Sequence, residues 1–254
     1  MNQAITSSAA SDSDLSLVFP VFDEVDNLDP LIDNALAIAS RLAVSFEIVL
    51  VDDGSRDGSG ELIDTLCRRD PRIRSLRHAS NRGYGAALRS GLREARGRLV
   101  FFSDSDLQFD LNELEKLLEH TDRFDIVAGY RSPRRDPWPR GLIAWTWGRL
   151  VRLAFGLRVR DIDCAFKVFH RRVIESMPIE SIGAFVNTEI LVRAQAGGYR
   201  IHQVPVSHRR RRHGRQTGGH PRVILRALTE MFRLLRELRR SPRPAKVEGR
   251  CASS

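Results

Sequence analysis

The sequence is poor in cysteine and has no long apolar run. Its three cysteines, Cys67, Cys164 and Cys251, are widely spaced and form no C-x-x-C pair, which argues against a disulfide framework and indicates a reducing compartment. No window reaches the roughly 18 uncharged apolar residues of a membrane-spanning helix, and the amino terminus lacks the basic-then-apolar pattern of a secretion signal. We therefore expect a cytoplasmic protein whose contact with a membrane is peripheral, at the cytoplasmic face.

Acidic residues are too few to balance the basic ones. The 254 residues include 41 Lys and Arg against 32 Asp and Glu, a formal net charge of +9 at pH 7. Such an excess points to an anionic partner: a nucleotide, a phosphorylated substrate, a membrane surface or a nucleic acid. The length suits one α/β domain with a short appendage.

Short apolar runs alternate with helical patterns along the first half of the chain. This alternation predicts an α/β fold with a Rossmann-like, mostly parallel sheet flanked by helices. Strands are predicted at 15–22, 46–51, 73–78, 99–103 and 125–128, with helices at 28–42, 60–69, 84–96 and 111–120. The second half predicts strands at 165–169 and 201–206 and helices at 141–155, 187–196 and 221–240.

Polar residues directly after the first two strands are candidates for a binding site, because ligands of an open parallel sheet lie at the carboxyl ends of its strands. These segments read Pro20-Val-Phe-Asp-Glu24 and Val51-Asp52-Asp53-Gly54-Ser55. Carboxylates there can accept hydrogen bonds from a nucleobase or from ribose hydroxyls. The alternative is that Asp52 and Asp53 only cap the following turn.

A third segment, Asp104-Ser-Asp106-Leu-Gln108, follows the most apolar strand. Two carboxylates this close can converge on Mg²⁺ or Mn²⁺, which prefers oxygen ligands and also binds a diphosphate. Gln108 offers a further carbonyl oxygen. The alternative is an ordinary acidic loop with Asp110 as the N-cap of the next helix.

Glycines precede the third helix in Asn81-Arg-Gly-Tyr-Gly85. Glycine allows the backbone to approach a ligand closely, and the amino terminus of a helix favours anions. Simple turn chemistry is the alternative for this segment.

In chain order, PVFDE, VDDGSRDGS, NRGYGAALRSGL and DSDLQ resemble the nucleotide-sugar half of family 2 glycosyltransferases, which have the GT-A fold. Three later segments resemble the polyprenol-phosphate glycosyltransferases, such as the dolichol-phosphate mannose synthases. These segments are Ala128-Gly-Tyr-Arg131, Asp161-Ile-Asp-Cys-Ala-Phe-Lys167, and the run from Glu189 through Gly198-Tyr-Arg-Ile to Pro205-Val. The resemblance covers about residues 15–240.

The resemblance implies specific roles for individual residues. The residues implied to line the nucleoside pocket are Pro20, Phe22, Glu24, Val51 and Asp53. Those implied to face the donor diphosphate are Asp104, Ser105 and Asp106, with Mg²⁺ or Mn²⁺ held by Asp104, Asp106 and Gln108. Arg131 matches a phosphate-binding arginine and Arg211 an arginine of the acceptor loop, so the expected catalytic residues are Asp106, Arg131 and Arg211.

The implied reaction is inverting transfer of a hexose from a nucleotide-sugar of the GDP-mannose or UDP-glucose type to a polyprenyl phosphate at a membrane surface. The chain departs from the family at Phe22-Asp23, usually Tyr-Asn, and at Cys164-Ala165-Phe166, usually Ser-Gly-Phe. It also has Gly214-Arg-Gln-Thr217 where mannose synthases have Gly-x-Ser-Lys. The predicted organisation is a disordered tail (1–14), a GT-A domain (15–219) with nucleotide-sugar (15–131) and acceptor (132–219) halves, a basic amphipathic helix (220–240) and a second disordered tail (241–254).

The predicted helix 221–240 combines an apolar stripe with arginines. Its apolar residues recur at spacings of four, three, four and three: Ile224, Leu228, Met231, Leu235 and Leu238. This pattern predicts either a helix lying in a lipid interface or one packed on the domain or on a second copy in a homo-oligomer. The tryptophans, which favour membrane boundaries, cluster in one segment beside Arg140, Arg149 and Arg152: Trp138, Trp145 and Trp147.

Two other functions are compatible with these residues. A transferase acting on a sugar hydroxyl would need a carboxylate base, for which Asp161, Asp163 and Glu189 are candidates. A basic protein that binds nucleic acid or membranes without catalysis fits the charge. No nucleic-acid module is visible, however, and the acidic strand ends would repel phosphate without a metal, so we expect no nucleic-acid partner.

Overall fold

The computed structural model describes residues 13–42, 45–133, 138–211 and 221–240. The strands are β1 Leu15–Val21, β2 Phe46–Asp52, β3 Ile73–Arg77, β4 Leu99–Ser103, β5 Ile126–Arg131, β6 Phe166–His170 and β7 Ile201–Val206. The helices are α1 Val25–Leu42, α2 Ser59–Arg69, α3 Tyr84–Glu94, α4 Leu114–Leu118, α5 Trp138–Phe155, α6 Arg171–Glu175, α7 Val186–Ala196 and α8 Pro221–Arg240.

Every predicted strand and helix forms, with ends shifted by no more than three residues, and the short α6 is additional. Asp14, which we assigned to the amino-terminal tail, donates its backbone N–H to the Ser45 carbonyl (3.0 Å). Residues 1–12 of that tail, the carboxyl-terminal tail, and the predicted acceptor-loop residues Gly214 to Thr217 lie outside the described residues.

The strands form one seven-stranded sheet in the order β3-β2-β1-β4-β6-β5-β7. β1 pairs in parallel with both β2 and β4, and β5 pairs in parallel with β7. β6 lies antiparallel between β4 and β5, with Ser103 opposite Phe166. The predicted mostly parallel α/β sheet is therefore confirmed. Because β6 runs the other way, the residues that precede it meet the carboxyl ends of β1, β2 and β4.

The adjacent strands β2, β1 and β4 are buried along their whole length. Phe101 makes edge-to-face contacts with Phe19 (ring centroids 6.4 Å apart) and Phe166 (4.8 Å). Phe102 of β4 stacks on Phe169 of the neighbouring strand β6, with ring centroids 5.9 Å apart. Helices cover both faces, so continuous rather than alternating hydrophobicity is what these strands require.

α8 docks on the domain through its apolar stripe. Met231 and Leu234 are 2% and 3% exposed, and Leu228 and Leu238 pack partly buried against the same core. Arg193 of α7 forms a two-pronged ion pair with Glu237 of α8, at 2.7 and 2.8 Å. Leu228, Met231 and Leu238 of the predicted stripe therefore pack on the domain, whereas Ile224 is 36% exposed. Among the described residues, none of the helices could span a membrane.

Candidate active site

The loops that follow β1 and β2 are joined to each other by hydrogen bonds. Asp23 donates its backbone N–H to Ser55 Oγ (3.0 Å) and accepts the backbone N–H of Arg56 (2.8 Å). Asp57 accepts the backbone N–H of Val25 at 3.0 Å. Asp23 has φ 54 and Leu107, in the loop after β4, has φ 59. Left-handed backbone at residues other than glycine is uncommon and collects at functional sites.

The paired aspartates after β2 are occupied by protein groups. Asp52 accepts the backbone N–H of Ser55 (2.9 Å) and pairs with Arg77 (3.0 Å), as the turn-capping alternative predicts. Asp53, predicted to contact the nucleoside, accepts the backbone N–H groups of Arg82 (2.9 Å) and Gly83 (2.8 Å). Its Oδ1 also lies 2.6 Å from His78 Nδ1. Asp53 therefore holds the loop before α3 against the end of β2.

The glycines of that loop allow close packing of protein on protein. Gly83 has φ 101, and a Cβ there would lie 2.4 Å from the Ile182 carbonyl oxygen. A Cβ at Gly85 would lie 2.6 Å from the carbonyl oxygens of Ser181 and Gly183. Gly85 donates its N–H to Ile182 (3.0 Å), so this N–H of the α3 amino terminus is used within the protein. The absence of a side chain at both glycines thus allows the backbone of residues 181–183 to pack directly against this loop.

Asp104 and Asp106 form a buried pair of carboxylates beyond β4. Asp106 is 6% exposed and accepts the backbone N–H of Gln108 (3.1 Å). Asp104 Oδ1 is buried and makes no well-aligned hydrogen bond to the described residues, and the same holds for the neighbouring Tyr84 hydroxyl. Burial first, and the Asp106 carboxylate second, raise the pKa of Asp104 to about 7. Burial also raises the pKa of Asp106.

These features fit a divalent cation whose remaining ligands come from a diphosphate. Asp104 Oδ1 is an unsatisfied buried acceptor, and a cation would relieve the repulsion between the two carboxylates. No cluster of three or more His, Cys, Asp or Glu suited to a metal occurs among the described residues. Gln108, the third predicted ligand, donates its side-chain N–H to the Arg209 carbonyl (3.0 Å).

The segment after β7 folds back over this pair. Ser207 donates its backbone N–H to Glu113 (2.5 Å), and Arg209 donates its own to the Gln108 carbonyl (2.7 Å). Arg209 also pairs with Asp110 (2.5 Å), which caps the turn after β4 by accepting the Asn112 N–H (3.1 Å), as predicted. The chain between residues 207 and 211 is thereby held at the edge of the site.

Arg211, at the end of this segment, joins the site to the first strand. Its guanidinium contacts Glu24 and lies 3.7 Å from Asp106 Oδ2. The side chains of Arg211 and Glu24 are 16% and 11% exposed, so the contact is largely shielded from water. Burial is the main reason that the pKa of Glu24 is raised. A residue predicted for the acceptor side and one predicted for the nucleoside side therefore meet at the carboxylate pair.

Arg131 is oriented by the loop that precedes β6. Its Nε and Nη2 donate to the Asp161 carboxylate at 2.6 and 2.8 Å, and its backbone N–H donates to the same group at 3.2 Å. Lys167, 1% exposed, donates to the Ile162 carbonyl (3.2 Å), the Cys164 carbonyl and Asn187 Oδ1 (3.1 Å). Arg131 and Lys167 are near enough to Asp104 to lower its pKa, against the larger effects of burial and Asp106.

Three residues predicted for the donor site are buried among protein groups. Val51 is fully buried and packs on α3 beside Gly91, so its side chain does not line a pocket. Ser105, predicted to face the diphosphate, is 3% exposed and donates its hydroxyl to the Pro20 carbonyl (2.7 Å). Pro20 thus contributes that carbonyl from within a buried strand. Phe22 is 44% exposed at the end of β1, as an open wall of a pocket would be.

Sequence reasoning did not single out Tyr84 or Lys167, although both lie inside recognised segments. Tyr84 is buried beside Asp104 and Asn187. Lys167 is the only lysine among the fully buried large side chains of the described residues. A lysine inside an otherwise apolar strand was the available signal, because an ionisable group there needs polar partners.

Comparison with known proteins identifies related glycosyltransferases. The chain is 32% identical over 207 residues to Glycosyltransferase AglD of Haloferax volcanii, covering 78% of this chain and 33% of that protein. It is 31% identical over 214 residues to the undecaprenyl-phosphate 4-deoxy-4-formamido-L-arabinose transferase of Edwardsiella ictaluri, covering 83% and 64%. The chain thus spans between one third and about two thirds of the length of these relatives.

Solved structures share the fold at lower sequence identity. Mannosyl-3-phosphoglycerate synthase from Rubrobacter xylanophilus is 21% identical with a TM-score of 0.70, covering 93% of this chain and 78% of that one. Glucosyl-3-phosphoglycerate synthase from Mycobacterium tuberculosis, in complex with Mn²⁺, UDP and phosphoglyceric acid, is 21% identical with a TM-score of 0.61, covering 89% and 76%. The predicted GT-A architecture is therefore confirmed. The model "Glycosyl transferase family 2" matches residues 16–183, and the chain belongs to that family.

Proposed function

We propose that this protein transfers a hexose from a nucleotide-sugar to a polyprenyl phosphate, with Mg²⁺ or Mn²⁺ bound at Asp104 and Asp106. The observation that carries the proposal is the approach of Arg211, from the segment after β7, to a buried carboxylate pair in which Asp104 Oδ1 has no hydrogen-bond partner among the described residues. One group suits a metal-bound diphosphate and the other suits an anionic acceptor. A site that must bring two anions together needs both.

On the donor side, the chain supplies a pair of carboxylates and an exposed aromatic ring. Asp104 and Asp106 would hold the cation, which when bound neutralises charge on the departing nucleoside diphosphate. Phe22 offers an exposed ring to a nucleobase. The Mycobacterium tuberculosis synthase of the same fold has been crystallised with Mn²⁺ and UDP, which supports a divalent metal at the level of the fold.

On the acceptor side, the chain supplies arginines and needs no general base. A phosphate monoester has a second pKa of about 6, so a lipid phosphate is largely dianionic at neutral pH and is itself the nucleophile. Arg131 and Arg211 can hold it against the equally anionic donor, since guanidinium groups bind phosphate in a bidentate manner. Attack on the anomeric carbon opposite the leaving diphosphate is a single displacement and inverts that centre.

The rival acceptor, a sugar hydroxyl, would need a carboxylate free to take a proton. Asp161 is engaged by Arg131 through three hydrogen bonds. Glu189 accepts the backbone N–H groups of Glu180 and Ser181 and pairs with Arg193 (2.8 Å). Two of the three candidate bases, Asp161 and Glu189, therefore already accept hydrogen bonds from other groups of the protein. The name of the Edwardsiella ictaluri relative, an undecaprenyl-phosphate transferase, favours the lipid phosphate.

The proposal is tested by offering purified protein a panel of radiolabelled nucleotide-sugars with undecaprenyl phosphate in detergent, with Mg²⁺ or Mn²⁺ present. We expect label in the lipid extract, sensitive to mild acid as a glycosyl phosphate is, and none with Asp106→Asn or excess chelator. Label on a polysaccharide or protein, with none in the lipid extract, would establish the hydroxyl acceptor instead. Repeating the panel with native membranes then identifies the natural lipid.

A further inference from the structure

The segment after β7 is joined to the turn that follows β4. We call residues 207–211 the acceptor arm and residues 108–113 the β4 turn. Phe109 and His208 pair in an isolated antiparallel bridge, and the centroids of their rings lie 5.4 Å apart. Both residues are buried, and Phe109 also packs on Phe166 of β6 (5.4 Å). The middle of the acceptor arm is therefore seated on the core through the β4 turn.

Glu113 lies at the position of a helix-capping residue, but its carboxylate is used by the acceptor arm. Asp110 and Glu113 have the spacing of a capping box, in which the later residue accepts the backbone N–H of the earlier one. Here Glu113 accepts the backbone N–H of Ser207 (2.5 Å) and the Ser207 hydroxyl (3.1 Å). A residue suited to a local cap thus makes a contact across 94 positions of the chain.

The contacts of Glu113 are better shielded from water than the second ion pair of the β4 turn. The Glu113 side chain is 14% exposed, and Lys116 Nζ lies 2.7 Å from one of its oxygens. Arg209 and Asp110 pair at 2.5 Å, but their side chains are 59% and 27% exposed. An exposed ion pair contributes little, whereas hydrogen bonds to a shielded carboxylate are among the stronger ones. Glu113 is therefore the principal charged anchor of the acceptor arm.

Ser207 is the first residue after β7, so its anchor sets the direction in which the acceptor arm leaves the sheet. Arg211 follows four residues later, a distance of roughly 13 Å for an extended chain. Its guanidinium contacts Glu24 and lies 3.7 Å from Asp106 Oδ2. A different direction at Ser207 would carry Arg211 away from both carboxylates. The place of Arg211 in the candidate site thus depends on a contact made at the other end of the arm.

We propose that Glu113 is a positioning residue for the acceptor: by holding Ser207, it presents Arg211 to the phosphate of the lipid. The proposal rests on the function proposed above, which assigns Arg211 to the acceptor. The Glu113 carboxylate contacts Ser207 and Lys116, so its effect on the acceptor passes through the arm. The donor side is built from other residues, and the affinity for the nucleotide-sugar should not depend on Glu113.

The test is steady-state kinetics of Glu113→Ala with undecaprenyl phosphate in detergent and the nucleotide-sugar that labels it in the panel above. We expect the KM for the lipid phosphate to rise roughly tenfold, as for loss of a charged hydrogen bond, and that for the nucleotide-sugar to change by less than about twofold. Glu113→Gln keeps one acceptor oxygen for Ser207 and should lie between Glu113→Ala and wild type. The control is Glu115→Ala, which removes the same charge from an exposed residue of α4 and should match wild type.

A double variant shows whether Glu113 acts through Arg211. If it does, the first substitution adds nothing once the second has been made, so Glu113→Ala with Arg211→Ala should have the same KM for lipid phosphate as Arg211→Ala alone. Losses that multiply in the double variant would overturn the proposal. Equal rises in KM for both substrates would overturn it as well, because they would indicate a general structural role.

Limited proteolysis with trypsin gives a readout that needs no activity. The bonds after Arg209 and Arg210 lie in the acceptor arm, and we expect Glu113→Ala to speed their cleavage roughly tenfold, with Glu115→Ala unchanged. Peptide mass spectrometry follows these bonds, and if Glu113→Ala does not fold, Glu113→Gln replaces it in both measurements. Cleavage at the wild-type rate would overturn the anchor. Faster cleavage together with a raised KM for a hydroxyl acceptor, and no labelled lipid, would refute the proposed function and leave the role of Glu113 standing.

Discussion

Two buried carboxylate sites, one at the amino ends of the parallel strands (the amino edge of the sheet) and one at their carboxyl ends (the carboxyl edge), have opposite surroundings. At the amino edge, Glu47 accepts hydrogen bonds from Ser16 Oγ (2.7 Å), the Arg96 backbone N–H (2.6 Å) and the Arg74 guanidinium (2.7 Å). Burial opposes its ionisation, but these hydrogen bonds outweigh it and lower the pKa of Glu47. At the carboxyl edge, burial and mutual repulsion raise the pKa of Asp104, and its Oδ1 lacks a well-aligned partner among the described residues.

The difference separates stability from function. A carboxylate whose acceptors are all satisfied stabilises the fold, because its charge is solvated by the protein. A pair of carboxylates that repel each other, with one acceptor oxygen unsatisfied, costs stability, and such sites persist where a ligand supplies the missing charge. The same residue type in the same sheet thus serves two purposes, and substitutions at the two edges should separate them.

The largest effect is expected at Asp106. Asp106→Asn should lower kcat/KM for sugar transfer roughly 10²- to 10³-fold, the usual loss when one stabilising group at a developing charge is removed. Its melting temperature should stay the same or rise, because one of two repelling buried charges is gone. Steady-state kinetics and calorimetry measure both. Full activity in this variant, or in wild type with excess chelator, would contradict the metal assignment.

Glu47→Gln is the matched substitution at the amino edge, and it should lower stability while leaving activity unchanged. The glutamine amide cannot form the ion pair with the Arg74 guanidinium, which should lower the free energy of unfolding by about 2 kcal/mol. For a domain of this size the melting temperature should fall by roughly 4–8 °C. Activity at 25 °C should equal that of wild type. A large loss of activity with unchanged stability would show that Glu47 serves function rather than stability, and would contradict the division of roles between the two ends of the sheet.

Arg211→Ala tests whether the segment after β7 serves the acceptor. We expect the KM for lipid phosphate to rise roughly tenfold, as for loss of a charged hydrogen bond, with less than a twofold change for the nucleotide-sugar. The control is Arg210→Ala, which removes the same charge from an exposed neighbour. Because Arg211 contacts Glu24 and Asp106, a larger effect on the nucleotide-sugar would place it with the donor instead.

The smallest effect is a dependence of stability on pH. The pKa of Glu47 is lowered in the folded state, so its contribution is present above the ordinary value of 4.5 and is lost as pH falls through the folded-state pKa. The difference in unfolding free energy between wild type and Glu47→Gln should therefore be constant near neutrality and shrink below about pH 4. Denaturant melts at several pH values measure it. A difference that does not change with pH would show that the ion pair is not its source.

The fold was largely predictable because its signals are local. Apolar runs of strand length and helical periodicity over 10–18 residues depend on near neighbours in the chain. The segments that carry the site were also recognisable, since a parallel sheet places them at one edge. The roles of individual residues were harder to predict: Val51 and Ser105 each lie in a recognised segment, yet both side chains are buried in the protein.

By itself, the sequence determined which elements form, where the strand-end motifs lie and that the surface is basic. The tertiary structure decided which partners meet: Asp161 with Arg131 across 30 positions, and Arg211 with Glu24 across 187. It also decided that β6 enters the sheet antiparallel and that Leu228, Met231 and Leu238 of α8 face protein. The physical reason is that helical periodicity is the same whether a face meets lipid or protein. A long-range ion pair likewise depends on how helices and sheet pack, which no short segment encodes.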